Sequence, residues 1–535
     1  MPTSKSIPLR WQKGWQAFLS RRYAPSLFIL VFTLICNLPL VFLQFLTPDG
    51  CLYLDMGRNI FEGKGAILTL NLHFAWTGYS YPSLPYLHPV YPIIAGFIWT
   101  LTHSIEAVLV FNVALLTVCA LLLYQVYKIV ATREIAFLGA LIYALLRDSR
   151  LVAGMPLTDY LHFTIILVVL LILFKNRGYK NTLIAGLLIG FAFLVRVANL
   201  YAAIAIGLAL LLSTEGRFLF RLKRSLLYGV GILLIILPYE LFCYLHYHIW
   251  YPQYTSATKA YTFALEEPSS HFVYGNPTLV FTPEFTTWEH IKFLARNTTL
   301  HLIQFTSYLP FTIITALCIY FFRRLRRRFG QFEILTLVLL LLFSVVGYSV
   351  SIYWWKMIET WRYSIIPVAC GLPLAAMGLH RLFAYFRQGY RPWGRMVFAF
   401  VLLLSLGLNL YALALYDIFI PKSVTIMKAE RESALTFVAE NSVPGDLVAT
   451  NSTYFMFLFD RPVITLPHGK ILTEENLKDF LRIHQPMLIV ISNLERILFN
   501  NEYISFDPKY HQFILDEGYS FAGADNIYRF YKRLE

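Results

Sequence analysis

Long apolar runs separated by short polar stretches make up most of the chain as far as residue 417. A helix that crosses a bilayer needs about 20 consecutive apolar residues, and somewhat fewer where neighbouring helices shield it. The pattern therefore predicts an α-helical polytopic membrane protein with about eleven transmembrane helices. The predicted spans are 25–47, 107–127, 134–147, 157–174, 182–198, 200–213, 226–246, 301–322, 332–353, 363–380 and 396–417.

The pattern changes after residue 417. Residues 429–443 have the spacing of an amphipathic helix, and the segments GDLVAT, RPVITL and MLIVIS have the pattern of short β-strands. We therefore predict three parts: a basic N-terminus over 1–24, a transmembrane domain over 25–417, and a small α/β domain over 418–535.

Composition agrees with a membrane protein. Hydrophobic residues make up 57% of the chain and charged residues only 14%, whereas a soluble domain has about 25% charged residues. The net charge of +14 would suggest a nucleic-acid partner for a soluble protein. In a membrane protein, Lys and Arg instead concentrate in cytoplasmic loops, so their positions indicate orientation.

Sorting the charges by loop predicts one orientation. With a cytoplasmic N-terminus, the inner segments carry a net charge of +21 and the rest of the chain carries −7. The positive-inside rule then places the loops 48–106 and 247–300 and the C-terminal domain on the outer face. We expect a multi-pass protein of the plasma (inner) membrane without a nucleic-acid partner.

The first outer loop contains a further apolar run, from His88 to Thr102. Counting this run as a twelfth span would invert every later loop, including the basic run from Arg323 to Arg328. We therefore predict an interfacial helix that lies on the outer leaflet.

The first candidate site lies just after the first span, in the segment TPDGCLYLDMGRNIFEGKG. Asp49 is either the cap of an amphipathic helix or a carboxylate at the membrane surface that accepts a proton from an acceptor hydroxyl. Asp55 lies on a different face of the same helix and is a weaker candidate. Tyr53, Tyr86 and His88 are candidates for a substrate pocket, although aromatic residues at this depth also form interfacial belts.

Other charged residues on the outer side complete the candidate site. Asp159 opens the fourth span and is either a helix cap or a second acid. Arg196 lies at the outer end of the fifth span, where it either binds an anionic group such as a lipid phosphate or extends to the interface. Lys356 and Arg362 lie between the ninth and tenth spans. Two carboxylates and several cations on one face suggest a pocket for an anionic lipid and a hydroxyl acceptor.

These segments, in this order, resemble the integral-membrane glycosyltransferases of the GT-C class, and most closely the family 39 relatives of protein O-mannosyltransferases and aminoarabinose transferases. The resemblance covers about residues 25–417 and is carried by PDGCLYLDMGRNIFEGKG, HPVYPIIAGF, PLTDYLHF, GLLIGFAFLVR and WRYSIIPVACGLPLAAMG.

The resemblance implies the GT-C fold and an inverting transfer of a sugar from a polyprenyl-phosphate donor to a lipid, glycan or protein acceptor. It implies that Asp49 is the base, Asp159 is the second acid and Arg196 meets the donor phosphate, with Arg362 as a weaker donor-site candidate. Many relatives have an acidic pair where this chain has Asp49 followed by Gly50, which leaves the role of Asp55 open.

Two other functions remain open from the sequence: a transporter or flippase of lipid-linked sugars, and a polymerase of lipid-linked glycans. The acids are concentrated in outer loops and not deep in the spans, which favours the enzyme over the transporter. The sequence requires no cofactor, and a divalent cation, although compatible with it, has no support in these residues.

Overall fold

The computed structural model describes residues 17–21, 23–44, 46–71, 88–214, 216–247, 331–351, 365–374, 431–451, 456–466, 474–492, 510–524 and 528–534. The helices of the first part are α1 (Ala24–Asn37), α2 (Pro48–Phe61), α3 (Val90–Thr102), α4 (Ile105–Val130), α5 (Arg133–Leu145), α6 (Arg147–Ala153), α7 (Asp159–Lys175), α8 (Tyr179–Phe193), α9 (Asn199–Leu212), α10 (Phe218–Tyr247), α11 (Phe332–Ser351) and α12 (365–374).

Helices in the described residues lie at nine of the predicted spans. Three are long and apolar enough to cross a membrane by themselves, namely Ala24–Phe42, Ile105–Val130 and Phe218–Leu245. The predicted spans 301–322 and 396–417 lie outside the described residues, so the count of eleven stays a prediction. The first span is α1 followed by a 3₁₀ helix, Leu38–Leu43.

Helix α3 is the apolar run that we predicted to be interfacial. Its 13 residues span about 20 Å, which is short of the roughly 30 Å hydrocarbon core. Its exposed large side chains, Ile93, Phe97 and Leu101, recur at intervals of four residues and form one apolar stripe. This length and stripe agree with a helix that lies along a membrane surface.

Helices α2 and α3 pack against each other through two glycines. A Cβ atom on Gly57 would lie 2.3 Å from the Pro92 carbonyl oxygen and 2.7 Å from the Gly96 Cα atom. These distances are too short for any side chain, so the two backbones touch directly. Helices α2 and α3 are therefore held in direct backbone contact.

The C-terminal part forms the predicted α/β fold. Its helices are α13 (431–441), α14 (Glu474–His484) and α15 (Tyr510–Asp516). The strands of the sheet are β1 (Leu70–Asn71), β2 (Val448–Thr450), β3 (Val463–Thr465), β4 (Leu488–Ser492), β5 (Tyr519–Ala524) and β6 (Tyr528–Arg533). Their order is β1-β3-β2-β4-β6-β5. Strands β1 to β4 are parallel, and β6 runs antiparallel to both of its neighbours, β4 and β5.

The three strands predicted in the tail are present as β2, β3 and β4, whereas β5 and β6 were not predicted. Strand β1 was not predicted either, and it comes from the segment that follows α2. Leu70 and Asn71 pair with Val463 and Ile464. The sheet of the C-terminal domain therefore contains a segment of the loop that follows Asp49.

The two faces of the sheet pack on different cores because side chains alternate along each strand. Val448, Val463 and Val490 belong to the core that continues into the membrane-spanning part. Ala449 and Ile489 face the other way, toward the helices α14 and α15. The C-terminal sheet is thus packed directly against the first part of the chain.

Candidate functional site

The site begins at the N-terminus of α2. Thr47 is the N-cap, and its side-chain oxygen accepts a hydrogen bond from the Gly50 N–H at 3.1 Å. Asp49 lies in the first turn and is partly exposed. The interpretation of Asp49 as the cap of this helix is therefore wrong. Its carboxylate lies at the end of the helix whose backbone N–H groups attract negative charge.

Gly50 brings this end of α2 against the segment that precedes α7. A Cβ atom on Gly50 would lie 2.6 Å from Cγ of Pro156. Gly50, which has no side chain, thus permits a close contact. Asp159 follows three residues after Pro156, so the two predicted acidic segments belong to one region of the structure.

Asp159 and Arg196 form an ion pair. Asp159 is the first residue of α7, and Arg196 lies in the turn between α8 and α9. Their side chains are 3% and 12% exposed, and Arg196 also donates a hydrogen bond to the Thr158 hydroxyl at 3.4 Å. A buried guanidinium requires an anionic partner, which Asp159 provides in this structure.

His88 lies beside the same turn. Its ring packs edge-on against Phe193, with 5.5 Å between centroids, and the N–H of Val90 donates to the Leu194 carbonyl at 3.4 Å. Burial, together with the nearby charge of Arg196, lowers the pKa of His88 to about 3. His88 is therefore a neutral imidazole at neutral pH.

Tyr53 connects α2 to the rest of the site. Its ring packs edge-on against Tyr91, with 5.3 Å between centroids, and the Tyr91 hydroxyl donates to the Asn112 side-chain oxygen at 3.1 Å. The Asn112 amide in turn donates to the Met155 carbonyl. These contacts fix the segment before Asp159 relative to α2, α3 and α4.

Asp55 is fully buried at a different place. Its two carboxylate oxygens accept hydrogen bonds from the Thr69 N–H at 2.6 Å, the Leu70 N–H at 2.8 Å and the Thr69 hydroxyl. It also pairs with Arg58 at 3.0 Å. Burial raises the pKa of Asp55, and Arg58 and the hydrogen bonds oppose that increase. These contacts favour a role for Asp55 in holding the segment that contains β1.

Tyr86, Lys356 and Arg362 lie outside the described residues. Within the described part of the chain, no group of three or more His, Cys, Asp or Glu side chains is arranged to hold a metal ion.

The sequence analysis did not single out Arg58, which pairs with Asp55 in the structure. The signal that could have found it is the spacing of three residues, which places an acid and a base on the same face of a helix.

Comparison with known proteins supports the resemblance of this chain to the GT-C glycosyltransferases. The family model for dolichyl-phosphate-mannose-protein mannosyltransferases matches residues 85–242, a range that contains His88, Asp159 and Arg196. A comparison with curated proteins found no match.

Solved structures match over nearly the whole chain. ArnT from Cupriavidus metallidurans bound to undecaprenyl phosphate has a TM-score of 0.56 at 13% identity, over 96% of this chain and 99% of that chain. The archaeal oligosaccharyltransferase AglB from Archaeoglobus fulgidus, in complex with an inhibitory peptide and a dolichol-phosphate, has a TM-score of 0.53 at 13% identity, over 88% of this chain and 70% of that chain. The chain therefore has the GT-C fold, and its resemblance to the integral-membrane glycosyltransferases of that class is confirmed.

Proposed function

We propose that this protein is a glycosyltransferase that moves a sugar, with inversion, from a polyprenyl-phosphate donor to a cell-envelope acceptor on the outer face of the membrane. The observation that carries this proposal is the contact between Gly50 and Pro156. It brings the helix end that holds Asp49 to the segment that leads into the Asp159–Arg196 pair. A base and a phosphate-binding cation are the two groups that this reaction needs.

Arg196 is the proposed ligand of the donor phosphate. A guanidinium has five N–H donors in a planar fork, so it can hold one carboxylate and still donate to a phosphate oxygen. Asp159 and the Thr158 hydroxyl orient this fork. In the reaction, the bond between the anomeric carbon and the phosphate oxygen breaks, and the polyprenyl phosphate leaves with the electron pair. Arg196 stabilises the charge that develops there.

Asp49 is the proposed general base. The acceptor hydroxyl oxygen attacks the anomeric carbon from the side opposite to the phosphate, and its proton passes to the Asp49 carboxylate. The partial exposure of Asp49 supports this role because the carboxylate remains accessible to an acceptor. The ArnT and AglB structures, which contain undecaprenyl phosphate and a dolichol-phosphate respectively, support a polyprenyl-phosphate donor.

The test uses the purified protein in lipid nanodiscs, with polyprenyl phosphates that carry radiolabelled hexoses, pentoses or aminopentoses, and with envelope fractions as acceptors. We expect Asp49→Asn to lose transfer by about a hundredfold or more. Glu62→Gln is the matched control, because Glu62 is an exposed acid at the other end of α2.

Binding of undecaprenyl phosphate, measured by native mass spectrometry, provides a readout that does not depend on the sugar. We expect wild type and Asp49→Asn to bind this lipid equally well. Equal sugar transfer by the two proteins would reject Asp49 as the base. Movement of labelled donor across vesicles without any transfer would instead indicate the flippase.

A further inference from the structure

Arg58 joins the helix that carries Asp49 to the C-terminal domain. One guanidinium nitrogen lies 3.0 Å from the Asp55 carboxylate within α2, and the other lies 2.8 Å from the Asp460 carboxylate. The guanidinium carbon also lies 4.9 Å from the ring centroid of Phe457. Asp460 and Phe457 both belong to the segment of the C-terminal domain that precedes β3. One side chain thus holds that domain by two kinds of contact.

Backbone hydrogen bonds extend the same connection. The Val463 N–H donates to the Thr69 carbonyl at 3.0 Å, where β1 joins the sheet. The N–H groups of Thr69 and Leu70 donate to Asp55. The sheet, β1 and α2 are therefore linked through one buried carboxylate and its arginine partner.

A second connection lies on the other side of Asp49 in the chain. Arg431, in α13 of the C-terminal domain, donates to the Gln44 side-chain oxygen at 3.3 Å. The Gln44 amide donates to Glu106, at the start of α4. The C-terminal domain thus contacts the chain both before and after Asp49, whereas Arg196 is held by Asp159 in the membrane-spanning part.

The two carboxylates that Arg58 bridges, Asp55 and Asp460, differ in solvent exposure. This difference determines which variants are informative. The Asp55 side chain is fully buried, whereas the Asp460 side chain is 79% exposed. Removing Asp55 would leave a buried cation and loosen the fold. Changing Asp460 removes only the outer half of the bridge.

We propose that Arg58 is a positioning residue through which the C-terminal domain holds the α2 helix and sets the place of the Asp49 carboxylate. The predicted effect on kcat rests on the proposed function, in which Asp49 is the base. Breaking the bridge between Arg58 and Asp460 lowers kcat and leaves donor binding at Arg196 intact. The C-terminal domain is therefore part of the catalytic unit.

The test compares Asp460→Asn and Arg58→Lys with the control Glu475→Gln, an exposed acid in α14 of the same domain. Asp460 has a left-handed backbone with φ of 50°, which asparagine also accepts, so Asp460→Asn keeps the backbone. We expect kcat to fall about fivefold in Asp460→Asn, the upper range for an exposed ion pair. Arg58→Lys should lower kcat further, because it also loses the planar guanidinium that contacts Asp55 and Phe457. The affinity for undecaprenyl phosphate stays at the wild-type value.

A covalent replacement of the bridge tests whether the connection itself matters. Asn71 and Ile464 are paired across β1 and β3, and neighbouring strands lie about 4.8 Å apart, a distance that a disulfide can span. Asp460→Asn is combined with Asn71→Cys and Ile464→Cys, and the oxidised and reduced forms are compared. Oxidation restores kcat and reduction removes the gain, whereas the cysteine pair without Asp460→Asn shows no such dependence.

Cys51 provides a readout that is independent of sugar transfer. It lies in α2, two residues after Asp49, and its side chain is fully buried. We expect maleimide to label Cys51 about fivefold faster in Asp460→Asn than in Glu475→Gln, because loosening α2 exposes the thiol.

Three results would overturn the inference: a kcat and a Cys51 labelling rate equal to those of the control, a parallel loss of lipid affinity and kcat, or a disulfide that restores nothing. If the wild type transfers no sugar but Cys51 labelling still accelerates, the proposed function fails and the connection stands. If sugar transfer requires Asp49 but Asp460→Asn changes nothing, the function stands and the connection fails.

Discussion

Arg196 forms an ion pair with Asp159, although the two residues lie on different elements and 37 positions apart in the chain. The pair joins the first turn of α7 to the turn between α8 and α9. Both side chains are largely buried. Each charge in such a pair depends on the other, because neither is well solvated.

We predict that Arg196→Gln reduces the affinity for undecaprenyl phosphate by about tenfold or more, because the phosphate loses a charge-assisted contact. The substitution also leaves Asp159 buried without its cation, which costs about 3 to 5 kcal/mol of stability. Titration of the lipid into nanodiscs, with the unfolding temperature measured in parallel, checks both effects.

The control for Arg196 is Arg177→Gln. Arg177 pairs with Glu333 at 3.0 Å, near the other end of α7. We expect this variant to bind the lipid like the wild type. Equal loss of affinity in both variants would contradict a specific phosphate site at Arg196.

We predict that Gly50→Ala lowers both stability and activity. A Cβ atom at this position would lie 2.6 Å from Pro156, so α2 or the segment before Asp159 must shift. Overpacking of this kind costs about 1 to 3 kcal/mol. Thermal unfolding and sugar transfer measure the two effects. Gly229→Ala in α10 is the control, since no atom of the described residues lies within 4 Å of its Cβ position. Wild-type behaviour of Gly50→Ala would count against the contact.

We predict that Gly96→Ala separates α2 from α3. Its Cβ atom would lie 2.4 Å from the Gly57 carbonyl carbon, and that contact is backbone, which cannot rotate away. Hydrogen exchange in residues 48–61 should become faster than in the wild type, while exchange in α10 stays the same. Unchanged exchange in both regions would show that the helices do not meet at these glycines.

We predict that His88 makes the protein less stable as the pH falls from about 6.5 toward 3. Because burial lowers the pKa of His88 to about 3, the unfolded chain binds a proton in this range and the folded chain does not. The lowered pKa of His88 therefore reduces the free energy of unfolding only below the pKa of histidine in the unfolded chain, about 6.5. The reduction reaches a few kcal/mol at about pH 3. Above pH 7 this effect is absent.

Unfolding temperatures measured between pH 4 and pH 8 check this prediction. His88→Asn should show a shallower loss of stability toward low pH than the wild type does. His103→Asn is the control, because His103 is exposed at the end of α3 and has the left-handed backbone that asparagine accepts. Parallel curves for His88→Asn and wild type would refute the buried neutral imidazole.

The sequence predicted most helices because apolar residues in long runs have no other stable arrangement in a membrane. It missed the true start of α10 at Phe218, which lies eight residues before the predicted span. The segment FLFRLKRS is too charged to indicate a span, yet the helix continues through it. Local hydropathy indicates the apolar part of a helix but not where the helix begins outside that part.

The sequence ranked Asp55 below Asp49 but left the role of Asp55 open, because both lie on one short amphipathic helix. Their surroundings separate them: Asp55 is buried and binds the backbone of Thr69 and Leu70, whereas Asp49 stays partly exposed at the helix end. Those partners come from elsewhere in the chain, so no local pattern shows them. Strand β1 is missed for the same reason, since two residues carry no periodicity.

The sequence by itself determined the class of protein, most helix positions, the α/β character of the tail and the two acidic segments, because hydropathy and short motifs are local properties. Only the tertiary structure decided that Arg196 pairs with Asp159, that Gly50 meets Pro156, and that Arg58 joins α2 to the C-terminal domain. These relationships depend on which surfaces pack together, and packing is set by the shape and burial of residues far apart in the chain.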